Sequence, residues 1–254
     1  MGASGAERSA AELGCPPPPG HVAERVARLD WGALKDMLLQ EGYARTGALL
    51  EPEECAELAA LYPQDRCFRS RVDMARHGFG RGSYSYFAEP LPRVVATLRT
   101  ALYGHLAPIA NVLMAALRRE ARFPPTLDAF RRRCREAGQC KPTPLLLRYG
   151  AGDYNCLHRD LYGEVAFPLQ ATLLLSRPGV DFRGGEFLLL ETRPRQQSRG
   201  VALALEQGEL VVFPVDERPA PGRRGLRRVF MRHGVSPVRD GVRHALGIIF
   251  HDAR

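Results

Sequence analysis

From Thr143 onward the chain reads as a series of short apolar runs cut by turn signals. The runs are 145–147, 167–175, 186–190, 209–213, 226–231 and 242–250. Between them stand Arg177-Pro178-Gly179, Arg183-Gly184-Gly185, Gln207-Gly208, Pro221-Gly222 and Asp240-Gly241. Strand-length runs at this spacing, with glycine and proline as punctuation, predict a sandwich or barrel of the jelly-roll kind. The upstream half has a different texture. Residues 21–40 read as helix, with Val22, Val26, Leu29 and Leu34 near one face. Helices are also predicted over 51–61, 90–118 and 125–137, and the Arg-, Gly- and Tyr-rich stretch 65–87 reads as irregular. Gly138 and Pro142 close the helical half. The predicted architecture is α+β. Residues 1–20, ending in Pro16–Pro19, form a disordered leader. Residues 21–142 form a helical region, and 143–254 form a β-barrel core.

Composition narrows the class. At 254 residues and 45% hydrophobic, the chain is long enough to bury a real core. No apolar run approaches the ~20 residues of a membrane helix, and a membrane partner is not expected. The net charge is +8, and only Lys35 and Lys141 are lysines, so 34 of the basic residues are arginines. A basic surface permits nucleic acid as a partner; the plainer reading of most of these arginines is genomic base composition. The six cysteines, at 15, 55, 67, 134, 140 and 156, form no CxxC pair, so a zinc ribbon is not expected. No signal peptide is visible, and the expected location is the cytoplasm.

The chemistry concentrates in His158-Arg159-Asp160, then His233, then Arg243. On extended chain the period of two puts His158 and Asp160 on one side. A second His can arrive from a later strand. Two imidazoles and a carboxylate on one face, with other positions open, suit non-haem Fe(II). Arg243 shares a strand face with Ala245, Gly247 and Ile249 by alternation. A guanidinium facing inward needs an anion. The small residues beside it leave room for a dicarboxylate, and the competing reading is an ion pair with a protein carboxylate.

These residues sit in longer matches. His158-Arg159-Asp160, Gly184-Gly185-Glu186-Phe187, Arg232-His233-Gly234-Val235-Ser236-Pro237-Val238 and Gly241-Val242-Arg243 resemble an Fe(II)/2-oxoglutarate-dependent dioxygenase. Asp160-Leu161-Tyr162-Gly163, Phe167-Pro168-Leu169-Gln170, the segment 193–199 and the ending Gly247-Ile248-Ile249-Phe250-His251-Asp252 are similar to a bacterial family of such oxygenases, described as acting oxidatively on damaged DNA. The resemblance spans roughly 65–254. It implies a double-stranded β-helix (jelly-roll) fold, with His158, Asp160 and His233 as iron ligands. It implies Arg243 as the clamp on 2-oxoglutarate, and O2 as the other cosubstrate. Many relatives carry Ser two residues after that Arg. Here the position is Ala245, so a hydroxyl partner must come from elsewhere, with Tyr149 the first candidate and Thr172 the second.

The expected activity is hydroxylation or oxidative dealkylation, with methylated nucleic acid as a substrate. The alternative is a protein or amino-acid hydroxylase of the prolyl type, whose late His-Gly-Val-x-Pro-Val pattern is similar. A third reading is a non-catalytic jelly-roll binder of metal or small molecules. Residues 71–87 read either as a substrate loop, with aromatics stacking on a base and arginines meeting phosphate, or as a packed Gly-rich connection. Arg223-Arg224 with Arg227-Arg228 reads as a solvated basic turn. Cys156 is expected to be small and buried, and His244 to pack on the face opposite Arg243. Gly184-Gly185-Glu186-Phe187 also matches the diguanylate cyclase signature, but it opens a Leu-rich strand and reads as a turn between strands.

Overall fold

The computed structural model describes residues 20–120, 122–193, 195–222 and 225–254. The expected disordered leader lies outside the described residues, apart from Gly20, where the first helix begins. The helix predicted over 21–40 is two helices, Gly20–Ala27 and Trp31–Gln40. Asp30 breaks it, because its carboxylate accepts from Ala33 N (3.0 Å) and caps a new start. Periodicity could not show this, since the apolar face continues across the break. The next helix, Pro52–Ala60, begins as the sequence suggests. Glu54 accepts from Glu51 N (2.8 Å) in a capping box and also holds Arg25.

The stretch 65–87 is more regular than expected, with strands Phe68–Asp73, Gly80–Arg81 and Ser83–Phe87. Together with Ala44–Ala48, these join the sheets built by the C-terminal half. A seven-stranded antiparallel sheet runs in the order Ala44–Ala48, Glu209–Pro214, Leu169–Leu174, Arg243–Ile248, Leu145–Tyr149, Ser83–Phe87, Phe68–Asp73. A second sheet runs Arg199–Leu203, Phe187–Thr192, Gly225–Val235, Tyr154–His158, Gly80–Arg81, with Glu217–Gly222 pairing back onto Gly225–Val235. Phe182–Gly184 and Val238–Gly241 form a short ribbon, so Gly184-Gly185 is a turn between strands. The basic pair Arg223-Arg224 lies outside the described residues.

Alternation along the strands of the large sheet divides the core. Leu146, Leu169, Ala171, Leu173, Leu210, Leu246 and Ile248 pack in one cluster with the helices. The helix Arg93–Ala116 contributes Val95, Leu98, Leu102, Leu106, Ile109 and Leu113 at helical spacing. Tyr149, Leu174, Val211 and Phe213 turn to the other face and meet Phe187, Leu189, Met231 and Val235 of the second sheet. His244 sits on the opposite face from Arg243, edge-on to Tyr62 at 5.7 Å, as its alternation predicted.

A buried ionic knot ties the long helix to residues 249–252. Arg99 donates to Ile249 O (2.9 Å), Phe250 O (2.8 Å) and Asp252 Oδ1 (2.7 Å), while Arg131 holds Asp252 Oδ2 (2.9 Å). Truncating one member strands the rest. Arg99→Ala is expected to cost about 3–5 kcal/mol of unfolding free energy in urea titrations. Acid should also destabilise the fold. Burial pushes both His244 and His251 down to about 4. The unfolded imidazole titrates near 6.5, so the unfolded chain gains protons first and stability is lost as pH falls from about 6.5 towards 4. A His244→Gln/His251→Gln variant should show a shallower fall in Tm between pH 7 and 5 than the parent.

Candidate active site

The cavity between the two sheets holds about 370 Å³, and both groups singled out from the sequence face it. His158 ends the strand Tyr154–His158, and His233 lies within Gly225–Val235. The two residues are direct cross-strand partners, and a bulge follows between His233 and Val235. Their rings lie 4.2 Å apart. Asp160 arrives two residues after His158, and the three side chains bring their potential ligand atoms within 4.8 Å of one another. His158 Nε2 is 3.5 Å from Asp160 Oδ1, and His233 Nε2 is 3.3 Å from Asp160 Oδ2. His158 Nδ1 lies 2.8 Å from Cys156 O. A carbonyl only accepts, so Nδ1 carries the proton and Nε2 offers its lone pair to the cavity.

Asp160 is held from both sides. Tyr162 Oη donates to Oδ1 (2.6 Å), and Gln170 Nε2 donates to Oδ2 (3.0 Å) while lying 3.2 Å from His233 Nε2. Tyr86 Oη in turn donates to Tyr162 Oη (3.1 Å). Burial alone would raise the Asp160 carboxyl. The hydrogen bond and charge of His233, with His158 and Tyr162 behind them, outweigh it and hold the group well below the usual carboxylate range. Burial and the neighbouring His158 push the His233 imidazole down, against the opposing pull of Asp160. Gln170 and Tyr162 are roles that residue spacing did not reveal. A signal for Gln170 was present: in Leu169-Gln170-Ala171-Thr172 the two polar residues alternate with apolar ones, so they share one strand face.

The same cavity is lined by Arg243, 2% exposed. Its Nε has no hydrogen-bond partner, and no carboxylate forms an ion pair with it among the described residues. The ion-pair reading therefore has no partner there. Burial lowers its pKa, with only the more distant fields of Tyr149 and Glu186 opposing. Its surroundings are shaped for it. A Cβ on Gly185, at φ +65°, would come within 2.9 Å of Arg243 Cδ, so the turn admits only glycine. Tyr149 is the cross-strand partner of Arg243, with its ring 5.6 Å from the guanidinium carbon. Thr172 is the partner of Gly247, and its hydroxyl donates to Leu246 O (3.2 Å). Both line the cavity.

Two expectations change. Cys156 is exposed at the cavity wall rather than buried, on a strand whose residues are all half-buried or exposed. The stretch 71–87 divides. Arg71 is structural: it donates to Tyr62 O (2.7 Å) and lies over the Tyr62 ring. Gly78, Phe79 and Tyr84 line the cavity.

The donor set fits a metal. Two imidazole nitrogens and one carboxylate oxygen, converging on one cavity, suit a divalent iron with open positions. The orphaned atoms His233 Nδ1, Gln170 Oε1 and Arg243 Nε mark a polar site that protein groups alone do not satisfy.

Comparison with known proteins follows the same line. Residues 82–253 match the family Oxygenase-NA, described as an oxygenase catalysing oxidative methylation of damaged DNA. An uncharacterized protein of Mycobacterium tuberculosis is 50% identical over 173 residues, 68% of this chain and 74% of its own. Among solved structures, a 2OG-Fe(II) oxygenase family oxidoreductase from Burkholderia pseudomallei superposes with a TM-score of 0.53 at 16% identity, covering 89% of this chain and 94% of that one. A prolyl hydroxylase from Trichoplax adhaerens, in complex with a hypoxia inducible factor peptide, gives 0.51 at 15% identity, covering 93% and 94%. A Pseudomonas putida prolyl-4-hydroxylase gives 0.50 at 15%, covering 88% and 99%. No helix among the described residues is long and apolar enough to cross a membrane.

The uncompensated guanidinium makes a thermodynamic prediction. Arg243→Met should stabilise the ligand-free protein by about 1–4 kcal/mol, because a buried charge gives way to an apolar side chain. The same variant should lose the rise in Tm that 2-oxoglutarate gives the parent. A guanidinium held by a protein carboxylate would instead lower stability on replacement.

Proposed function

The chain belongs to the Oxygenase-NA family, 2-oxoglutarate-dependent non-haem Fe(II) dioxygenases, and from that premise we propose that it hydroxylates the N-alkyl group of a damaged nucleobase. His158, Asp160 and His233 hold the iron, and Arg243 binds the distal carboxylate of 2-oxoglutarate. Tyr149 and Thr172 bound the cosubstrate pocket, with Tyr149 in place of the missing serine hydroxyl at Ala245. We place the catalytic core in 143–254, closed as a double-stranded β-helix, with the helices of 21–142 as its buttress and the strands Ala44–Ala48, Phe68–Asp73, Gly80–Arg81 and Ser83–Phe87 extending its sheets. The observation that carries the reading is that one cavity holds both the His-Asp-His cluster and a buried guanidinium with no ion-pair partner among the described residues.

The chain's own residues divide the work. His158 keeps its proton on Nδ1, donated to Cys156 O, so that its Nε2 stays free. Tyr162 and Gln170 fix the plane of the Asp160 carboxylate. Arg243 sets the position of the cosubstrate's distal carboxylate, while Leu145, Leu147, Phe187 and Phe213 keep the wall apolar and limit water. When bound, iron with 2-oxoglutarate and O2 supplies the oxidation, placing one oxygen atom in the substrate C–H bond and the other in succinate, with loss of CO2. A hydroxymethyl group on nitrogen then falls apart by itself: the C–N bond breaks, nitrogen keeps the electron pair and takes the hydroxyl proton, and formaldehyde leaves. The net change is removal of a methyl group from the base.

The nucleic-acid substrate is supported by the family description and by the basic charge of the chain. The prolyl hydroxylases named above share the fold at about 15% identity, and that likeness extends to the fold alone. The test is succinate formation by Fe(II)-loaded protein with O2 and 2-oxoglutarate, with and without methylated single-stranded DNA. Succinate should rise with the DNA, formaldehyde should appear in step, and His158→Ala should abolish both. Succinate production that ignores DNA but responds to a proline-containing peptide would move the substrate to protein.

A further inference from the structure

At the rim of the cavity stands an apolar ring that nothing in the catalytic chemistry uses. Phe79 is 48% exposed and lines the cavity mouth. The exposed His77 ring stacks on it at 5.3 Å with 22° between the planes. Neither ring is on a loose loop. Phe79 N donates to Met74 O (3.1 Å), and Phe79 O accepts from Cys156 N (2.9 Å), two residues before His158. The next residue, Gly80, has φ +134°, and a Cβ there would lie 2.3 Å from Tyr154 O, so only glycine lets the segment lie this close to the strand Tyr154–His158. The rings are thus fixed to the strand that carries His158. Leu157, on that same strand, lines the mouth beside them and is 37% exposed. Exposed Arg81 pairs with Tyr154 on the neighbouring strand. Arg76 is tied to Asp73 and Arg159 to Asp216, whereas Arg81 has no ion-pair partner among the described residues.

We propose that Phe79, backed by His77, is a stacking platform for the base that flanks the target nucleotide, with Arg81 meeting the adjoining phosphate. The proposal rests on the nucleic-acid reading of the active site. An exposed aromatic face held rigid at a cavity mouth costs apolar exposure in the free protein. A base covers it on one side and stays wet at its edges, and stacking accepts any base. A cation two residues along the chain supplies the sequence-independent, salt-dependent part of the binding. The platform would hold one nucleotide outside while its neighbour enters the cavity.

The test uses the full chain and a single-stranded oligonucleotide carrying 2-aminopurine beside a methylated base, mixed without O2. Anisotropy of an end label reports binding, and 2-aminopurine fluorescence reports stacking. The parent should bind and quench. Phe79→Ala should lose the quenching and bind about five- to 150-fold more weakly, and Phe79→Tyr should restore both. Arg81→Gln should keep the quenching and flatten the salt dependence of binding. Binding without quenching, or unchanged binding and quenching in Phe79→Ala, overturns the platform and leaves the nucleic-acid reading standing. Absence of binding by the parent at low salt overturns both.

Discussion

A guanidinium buried without an ion-pair partner among the described residues sets the terms for this cavity. Such a group is costly to bury unless something negative meets it, yet the surrounding structure is arranged to keep Arg243 where it is. The Gly184-Gly185 turn gives way to its aliphatic stem, and the small Ala245 follows on the same face of its strand. Tyr149 lies beside it across the sheet. The fold therefore holds one unsatisfied charge in the ligand-free protein. The His-Asp-His cluster in the same cavity is similarly incomplete, with nitrogen and carboxylate ligand atoms facing one another at 3.3–3.5 Å. The two groups ask for complementary partners, a cation for the carboxylate and imidazoles and an anion for the guanidinium.

The remaining arginines show how different that situation is from ordinary burial. Arg99 and Arg218 are each 1% exposed, but both are paired. Arg99 is spent on Asp252 and two carbonyls. Arg218 is spent on Glu191 (2.5 Å) and on Leu39 O (3.1 Å), which ties the helix Trp31–Gln40 to the sheet. Of these three buried arginines, Arg243 is the one with no ion-pair partner among the described residues. A basic composition thus hides several unlike jobs, and burial with partner count separates them where counting residues does not.

What the sequence made legible follows the same physics. The strands 167–175, 209–213 and 242–250 were visible because both their faces are buried, and the observed Leu169–Leu174, Glu209–Pro214 and Arg243–Ile248 fall inside or nearly inside those bounds. Ala44–Ala48, Phe68–Asp73 and Tyr154–His158 were not, since their residues are largely half-buried or exposed and show no clean alternation. Their stability comes from backbone pairing, which leaves little mark on residue type. At the site, His158, Asp160, His233 and Arg243 could be picked out because metal and anion binding demand particular side chains. Tyr162 and Gln170 could not be assigned roles, because a hydrogen bond to Asp160 depends on where separate segments meet. Tyr149 and Thr172 fall on the cavity wall as strand alternation allows.

The order of strands in the large sheet has a consequence for how the protein is made. Arg243–Ile248, the last of its strands along the chain, lies at the centre, and the first, Ala44–Ala48, sits at the edge against Glu209–Pro214. Synthesis runs from the N-terminus, so the early strands emerge long before the one that joins them. Until then Leu145–Tyr149 and Leu169–Leu174 each expose an unpaired edge where the central strand belongs. Nascent chains stalled at that point carry two apolar strand edges side by side, which is the form most open to pairing with another copy. The ribosome-bound intermediate, more than the finished enzyme, is where this topology would call on a chaperone.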